Sequence, residues 1–325
     1  MRSVVLLFCL LLLSSPAHAA VPEGSFLSIH GEQVFVRHKE AQPGAPTLVL
    51  LNGLTYSTQQ WASFAAAIER LEPSFGIVLY DMRGMGKTLL QGNLPVNYSI
   101  SLESQVAQLK EVMTALKLKK AQFVGLSYGG GVAIAFAKAH PKLVGRLFLM
   151  APFTEALENQ DRLIRAQVSG NRLTFPFNPA TDEELYDYFL RQFIYTTYPS
   201  SEPIVLENPF KLEAIFRMVQ GIRLFKAAQI AKDMPAESVH LMVANQDQYI
   251  SKAVMDRFWQ AVPMRARGSR IDISFTEHKI PEAIPNFAAA WITTVMKEDL
   301  RGEFQGTSWA FRAQSGSKVV DLPRP

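Results

Sequence analysis

The chain has a single cysteine among its 325 residues, Cys9, so a disulfide-rich scaffold is excluded. Nor is there any block of one charge sign. The 33 Lys and Arg residues and the 29 Asp and Glu residues are interspersed, leaving a formal net charge of +4 and no basic stripe that could track phosphates. Nucleic acid is therefore not an expected partner. No His/Asp/Glu cluster at metal-ligand spacing occurs, so neither a metal nor another cofactor is expected. Internal repeats and low-complexity tracts are also missing. With a hydrophobic fraction of 48%, the chain can bury one large core or two modest ones.

The only long apolar run is at the N-terminus. Val4 to Leu13 follows Arg2 and leads into Pro16-Ala17-His18-Ala19, a charged start, an apolar core and an Ala-x-Ala site. This pattern predicts a secretory signal cut after Ala19, a secreted or periplasmic protein, and no stable transmembrane segment after cleavage. Cys9 would leave with the leader, so the mature chain would carry no thiol.

Runs rich in Val, Ile, Leu and Phe recur at 47–52, 76–81, 121–125, 146–151, 239–244 and 270–275, separated by intervals long enough for a helix. This rhythm predicts an α/β fold, because strands of a mainly parallel sheet flanked by helices are buried on both faces. Phe26–Ile29 and Val34–Arg37 flank His30-Gly31-Glu32-Gln33 and predict an antiparallel hairpin at the sheet edge. Between strands the period turns helical. Trp61, Phe64, Ala65, Ile68 and Leu71 share one face, as do Val106, Leu109, Val112, Met113 and Leu116, and later Ile284, Phe287, Trp291 and Val295.

From Phe153 to Pro235 no strand pattern is visible, and Thr181-x-x-Glu184 reads as a capping box opening a helix through Phe193. This insertion is dense in aromatics. They could form the small core of a cap, or line the underside of a lid over an apolar substrate group; Phe189 and Phe193 are the candidates for substrate contact. The predicted layout is a leader (1–19), a first core part (20–152), a helical cap (153–235), a second core part (236–300) and a loosely held tail (301–325).

The strongest chemical signal is Gly125-Leu126-Ser127-Tyr128-Gly129, directly after an apolar strand and before the helix-like stretch 130–139. Glycines on both sides of the serine let the chain turn sharply, so that the Ser127 hydroxyl stands at a helix N-terminus. A hydroxyl needs a base, and the base needs an orienting carboxylate. Of the histidines beyond the leader, His30 and His38 fall in the early hairpin, His140 precedes Pro141 at the far end of the nucleophile helix, and His240 lies within a strand pattern. His278 follows the last predicted strand, where strand ends gather, and is the candidate base. Asp247, just past the run 239–244, is the candidate carboxylate. Gly84-Met85-Gly86-Lys87-Thr88 is not a phosphate loop, since that motif needs a glycine where the chain has Asp81.

The order Ser127, Asp247, His278, together with the serine turn and the strand rhythm, resembles the α/β-hydrolase superfamily, over roughly residues 25–300. Leu48–Leu51 followed by Asn52-Gly53-Leu54 is similar to the family's oxyanion loop. The segment Asp81-Met82-Arg83-Gly84-Met85-Gly86 is similar to its D-x-R-G-x-G turn. The resemblance implies a serine nucleophile with a helical cap, and oxyanion donors at the backbone N–H groups of Leu54 and Tyr128. It departs from the family at Asn52, where a histidine is usual, and at Lys87, where a small hydroxyl residue is common. The expected activity is hydrolysis of carboxylic esters, thioesters or lactones on small-molecule substrates with an apolar acyl group. The same triad would also serve acyl transfer or amide and peptide hydrolysis, and the scaffold could act as a binding protein without turnover.

Overall fold

The apolar runs become strands, with bounds close to those the sequence predicts. The computed structural model describes residues 22–90, 100–197, 210–235, 239–307, 311–315 and 318–322; the leader, 1–19, lies outside the described residues. Strands β1 (Gly24–Ile29) and β2 (Glu32–Lys39) form the predicted hairpin. They are followed by β3 (Thr47–Leu51), β4 (Gly76–Tyr80), β5 (Ala121–Leu126), β6 (Val144–Met150), β7 (Val239–Ala244), β8 (Arg267–Ser274) and β9 (Gly302–Thr307). The sheet order is β1-β2-β4-β3-β5-β6-β7-β8-β9; β2 pairs antiparallel with β1 and β4, and the other pairings are parallel.

Successive residues of a strand point to opposite faces, and the core divides accordingly. Leu48 and Leu50 pack with Trp61, Phe64, Phe287 and Trp291 under the helices Ala62–Leu71 and Pro285–Glu298. Val49 and Leu51 pack with Leu109, Val112, Val132 and Phe136 under the helices Leu102–Ala115 and Tyr128–Ala139. Leu71, expected on the buried face, is instead exposed at the helix end.

The segment expected to be a loose tail is partly built into the sheet. β9 pairs in parallel with β8, with Ile271 opposite Phe304, and Trp259 Nε1 donates to Glu303 Oε1 at 2.7 Å. This strand occupies the edge that β8 would otherwise leave unpaired. Its sequence, GEFQGT, holds a single large apolar residue, so the run was too polar to read as a strand. Two further strands, β10 (Phe311–Ser315) and β11 (Lys318–Leu322), pair with each other.

Between β6 and β7 the described residues form helices only: Glu158–Thr174, Asp182–Thr197, Lys211–Ile222 and Ala227–Ala231. The capping box is present, with Glu184 N donating to Thr181 Oγ1 at 3.2 Å and Thr181 N to Glu184 Oε2 at 2.6 Å. That helix continues past Phe193 to Thr197. Leu185, Leu190, Ile194, Ile215 and Met218 are buried among the cap helices.

Candidate active site

The chain winds from β3 outward to β4 on one side and to β5 on the other, so the carboxyl ends of β3 and β5 flank the point where the winding reverses, the place where open α/β sheets form a crevice. Ser127 leaves β5 there with φ 51° and ψ −116°, a conformation that costs a residue bearing a Cβ about 1–3 kcal/mol. The surroundings impose it. Ser127 N donates to Met150 O at 3.1 Å, and Ser127 O accepts from Phe153 N at 2.8 Å and from Gly130 N at 2.9 Å. The glycines are required by close approach. A Cβ on Gly125 would meet Gly130 Cα at 2.7 Å, and one on Gly129 would overlap the backbone of Leu51.

The loop after β3 lies directly beside the serine, since a methyl group on Gly53 would stand 3.7 Å from Ser127 Cβ. Asn52 is fully buried. Its Nδ2 donates to Tyr80 O at 3.3 Å and its Oδ1 accepts from Trp61 Nε1 at 2.9 Å, which fixes the loop to the end of β4 and to the adjacent helix. The departure from histidine at this position thus exchanges an imidazole for an amide that both donates and accepts. Asp81, also buried, accepts from Thr58 N at 2.7 Å and Lys87 N at 2.8 Å. Burial pushes its carboxyl up against the pull of those two N–H groups. Lys87 sends its ammonium over the Phe35 ring, 4.5 Å from the centroid, away from the serine turn.

Asp247 and His278 leave β7 and β8 and meet at 2.6 Å between Oδ2 and Nδ1. The other oxygen, Oδ1, accepts from the backbone N–H groups of Tyr249 and Ile250, both at 2.8 Å. A carboxylate oxygen only accepts, so Nδ1 is the donor in this contact and, in the neutral imidazole, Nε2 is the acceptor. The two loops are stitched together: Gln246 N donates to Thr276 O at 3.0 Å and Phe275 N to Asn245 Oδ1 at 2.8 Å. The Tyr249 ring stands edge-on to His278, with centroids 5.1 Å apart.

One cavity of about 440 Å³ is lined by Ser127, His278, Leu54 and Tyr128. None of the other histidines borders it. His240 is buried against Phe148, accepts from Ser269 N at Nδ1, and is held neutral by burial, with its pKa lowered to about 3. The walls are mainly apolar and come largely from the cap: Leu157, Leu163, Leu190, Phe193, Ile194 and Ile222. Phe193 lines the cavity as expected of it, whereas Phe189 does not; it packs into the core, edge-on to Tyr188 at 5.3 Å. The residues of that helix that look inward are Tyr186, Leu190, Phe193, Ile194 and Thr197; Phe189 lies one turn before Phe193, on the flank of the same stripe, yet packs into the core. A few polar groups also line the cavity, among them Gln160, Asp161, Arg223, Gln248 and Lys279, none of which stood out in the sequence.

A family model described as the alpha/beta hydrolase fold matches residues 46–192, the stretch that holds the loop after β3 and the serine turn. Over those residues the chain matches the α/β-hydrolase family, and its sheet has that fold. Among relatives, RutD of Agrobacterium fabrum, which is named for carbamate hydrolysis, is 32% identical over 134 residues; the match covers 41% of this chain and 49% of the relative, about half its length. A 2-hydroxy-6-oxononadienedioate/2-hydroxy-6-oxononatrienedioate hydrolase of Paraburkholderia phymatum is 32% identical over 121 residues, covering 37% of this chain and 41% of that one. Among solved structures, a bacterial membrane phospholipase A superposes with a TM-score of 0.64 at 17% identity, over 86% of this chain and 87% of the other, a likeness of fold. Ser127, Asp247 and His278 stand just past the carboxyl ends of β5, β7 and β8.

Proposed function

We propose that this chain is an exported serine hydrolase that cleaves carboxylic esters, or the related thioesters and lactones, of apolar acyl groups. The observation that carries the proposal is the Asp247–His278 pair opening onto the same apolar cavity as Ser127. In this scheme His278 Nε2 takes the proton of the Ser127 hydroxyl as Oγ bonds to the acyl carbon, and Asp247 holds the imidazolium that forms. The carbonyl oxygen, now negative, accepts from Leu54 N–H and Tyr128 N–H; neither group has a backbone acceptor among the described residues. Collapse of this intermediate breaks the bond to the leaving group, which receives the proton from His278. Water then attacks the acyl-enzyme, giving its proton to His278, and the acid leaves as Ser127 recovers its hydrogen.

Hydrolysis is common to the names of the relatives, which differ in the substrate named. Ester substrates are favoured here by the chain's own cavity: about 440 Å³ of mainly apolar wall suits a small to medium acyl chain. Each buried methylene should add about 0.8 kcal/mol, or about fourfold in kcat/KM, until the space is filled. p-Nitrophenyl esters from acetate to octanoate test this. We expect kcat/KM to rise to a mid-length optimum; a steady fall from acetate onward would contradict the apolar acyl site. For export, we expect the secreted chain to begin at Ala20, as read by mass spectrometry of its N-terminal peptide.

A further inference from the structure

The mechanism above leaves a buried cation of the cap unused. Lys211 is the first residue of the cap helix Lys211–Ile222 and is 4% exposed. Its Nζ donates to Thr55 O at 3.2 Å. Thr55 directly follows the oxyanion-loop residue Leu54, lines the cavity, and has φ 72°. A β-branched residue in that region is a genuine conformational outlier and persists only where its neighbours hold it. The contact that reaches its carbonyl comes from the cap. The same helix packs on the D-x-R-G-x-G turn, where a Cβ on Gly84 would lie 3.5 Å from Ala214 Cβ. It also reaches the nucleophile helix, where one on Gly131 would lie 3.0 Å from Ile222 Cδ1. The helix Lys211–Ile222, about 18 Å long, thus touches both the loop that carries Leu54 and the helix that begins at Tyr128.

We propose that Lys211 is a positioning residue that clamps the strained Leu54–Thr55 segment from the cap and so holds the Leu54 N–H on the oxyanion. The inference rests on the serine-hydrolase reading above. The charged groups facing Lys211 are Asp81, on the turn after β4, and across it Arg37 on β2; on its own helix Glu213 is engaged by Arg191 and Arg217. Burial lowers the Lys211 pKa to about 8, with Asp81 opposing the shift. The ammonium is therefore largely charged at neutral pH and loses its charge on the alkaline side. Activity and stability should then respond in opposite senses. Between about pH 8 and the ordinary lysine value of 10.5 the unfolded chain binds more protons than the folded one, so the Lys211 contribution to stability rises with pH while the clamp weakens.

The test uses p-nitrophenyl butyrate hydrolysis together with the rate of fluorophosphonate labelling, both of which build charge in the oxyanion site. We expect Lys211→Met to lower kcat about tenfold to thirtyfold with KM little changed, less than the loss of an oxyanion donor itself. Labelling should slow to match. Lys211→Arg should keep kcat at pH 7 and stay level from pH 7 to 9.5, where the wild type falls. In a Thr55→Gly background, where positive φ is free of strain, the Lys211→Met loss should shrink. An unchanged kcat in a folded Lys211→Met protein overturns the proposal. If that variant does not fold, a wild-type and a Lys211→Arg profile that fall in parallel overturn it. A wild-type enzyme that neither turns over the ester nor is labelled at Ser127 overturns the serine-hydrolase reading, and this proposal with it.

Discussion

At the carboxyl ends of the sheet the polar side chains are buried and engaged on several sides. Asp247 accepts from two backbone N–H groups and meets His278, and Asn52 joins Tyr80 to Trp61. In the cap the arrangement is reversed: the side chains facing inward are mostly apolar, and the ion pairs, such as Arg172–Asp182 and Arg165–Asp161, stand near the surface. Buried hydrogen bonds are directional and costly to leave unmade, so the sheet ends can fix atoms in place. Apolar packing is non-directional, so the cap sets the shape of the cavity more than the position of any atom. Lys211 is the exception, a buried polar group that the cap sends into the sheet-end loops.

The largest effect should follow from Ser127→Ala, which is expected to lower ester hydrolysis by about 10⁶-fold while leaving the thermal midpoint within a degree or two. Ser127→Gly should be equally inactive but more stable than Ser127→Ala by about 1 kcal/mol, because glycine relieves the strain at φ 51°. Equal stabilities of the two variants would show that the turn is not strained. Next, Asp247→Asn should cost about 10⁴-fold in kcat by presenting the wrong histidine tautomer, and combining it with His278→Ala should add little, since the two act as one unit. A double mutant showing the product of the single losses would separate them.

Effects on folding come next in size. Asn52→Ala removes the acceptor of the buried Trp61 indole N–H and should destabilise the protein by about 1–3 kcal/mol, read from the denaturant midpoint. The cap should respond more gently and in a different quantity. Phe193→Ala should shift the chain-length optimum of the ester series, whereas Phe189→Ala should lower stability with the optimum unmoved. The reverse result would place Phe189 on the substrate. Smallest of all, Arg165→Ala at the cap surface should change stability by about 0.5 kcal/mol or less.

The same contrast governs what the sequence made legible. Strands buried on both faces wrote themselves as apolar runs, and Ser127, Asp247 and His278 stood out as candidates because each lies just past one of them: Ser127 after β5, Asp247 after β7, His278 after β8. β9 escaped because an edge strand needs few apolar residues. In the cap, position along a helix alone does not decide whether an aromatic looks into the cavity or into a neighbouring helix. The pair Phe189 and Phe193, one turn apart, therefore divides between the two roles. Lys211 carried no signal at all, since its importance comes from Thr55, which is 156 positions away in the chain.

The central claim, that Ser127 is an activated nucleophile served by His278 and Asp247, is tested most directly by intact and peptide mass spectrometry after treatment with a fluorophosphonate. We predict a single adduct on Ser127 in the wild type, none in Ser127→Ala, and labelling slowed by orders of magnitude in His278→Ala. An adduct on another serine, or undiminished labelling of His278→Ala, would contradict it.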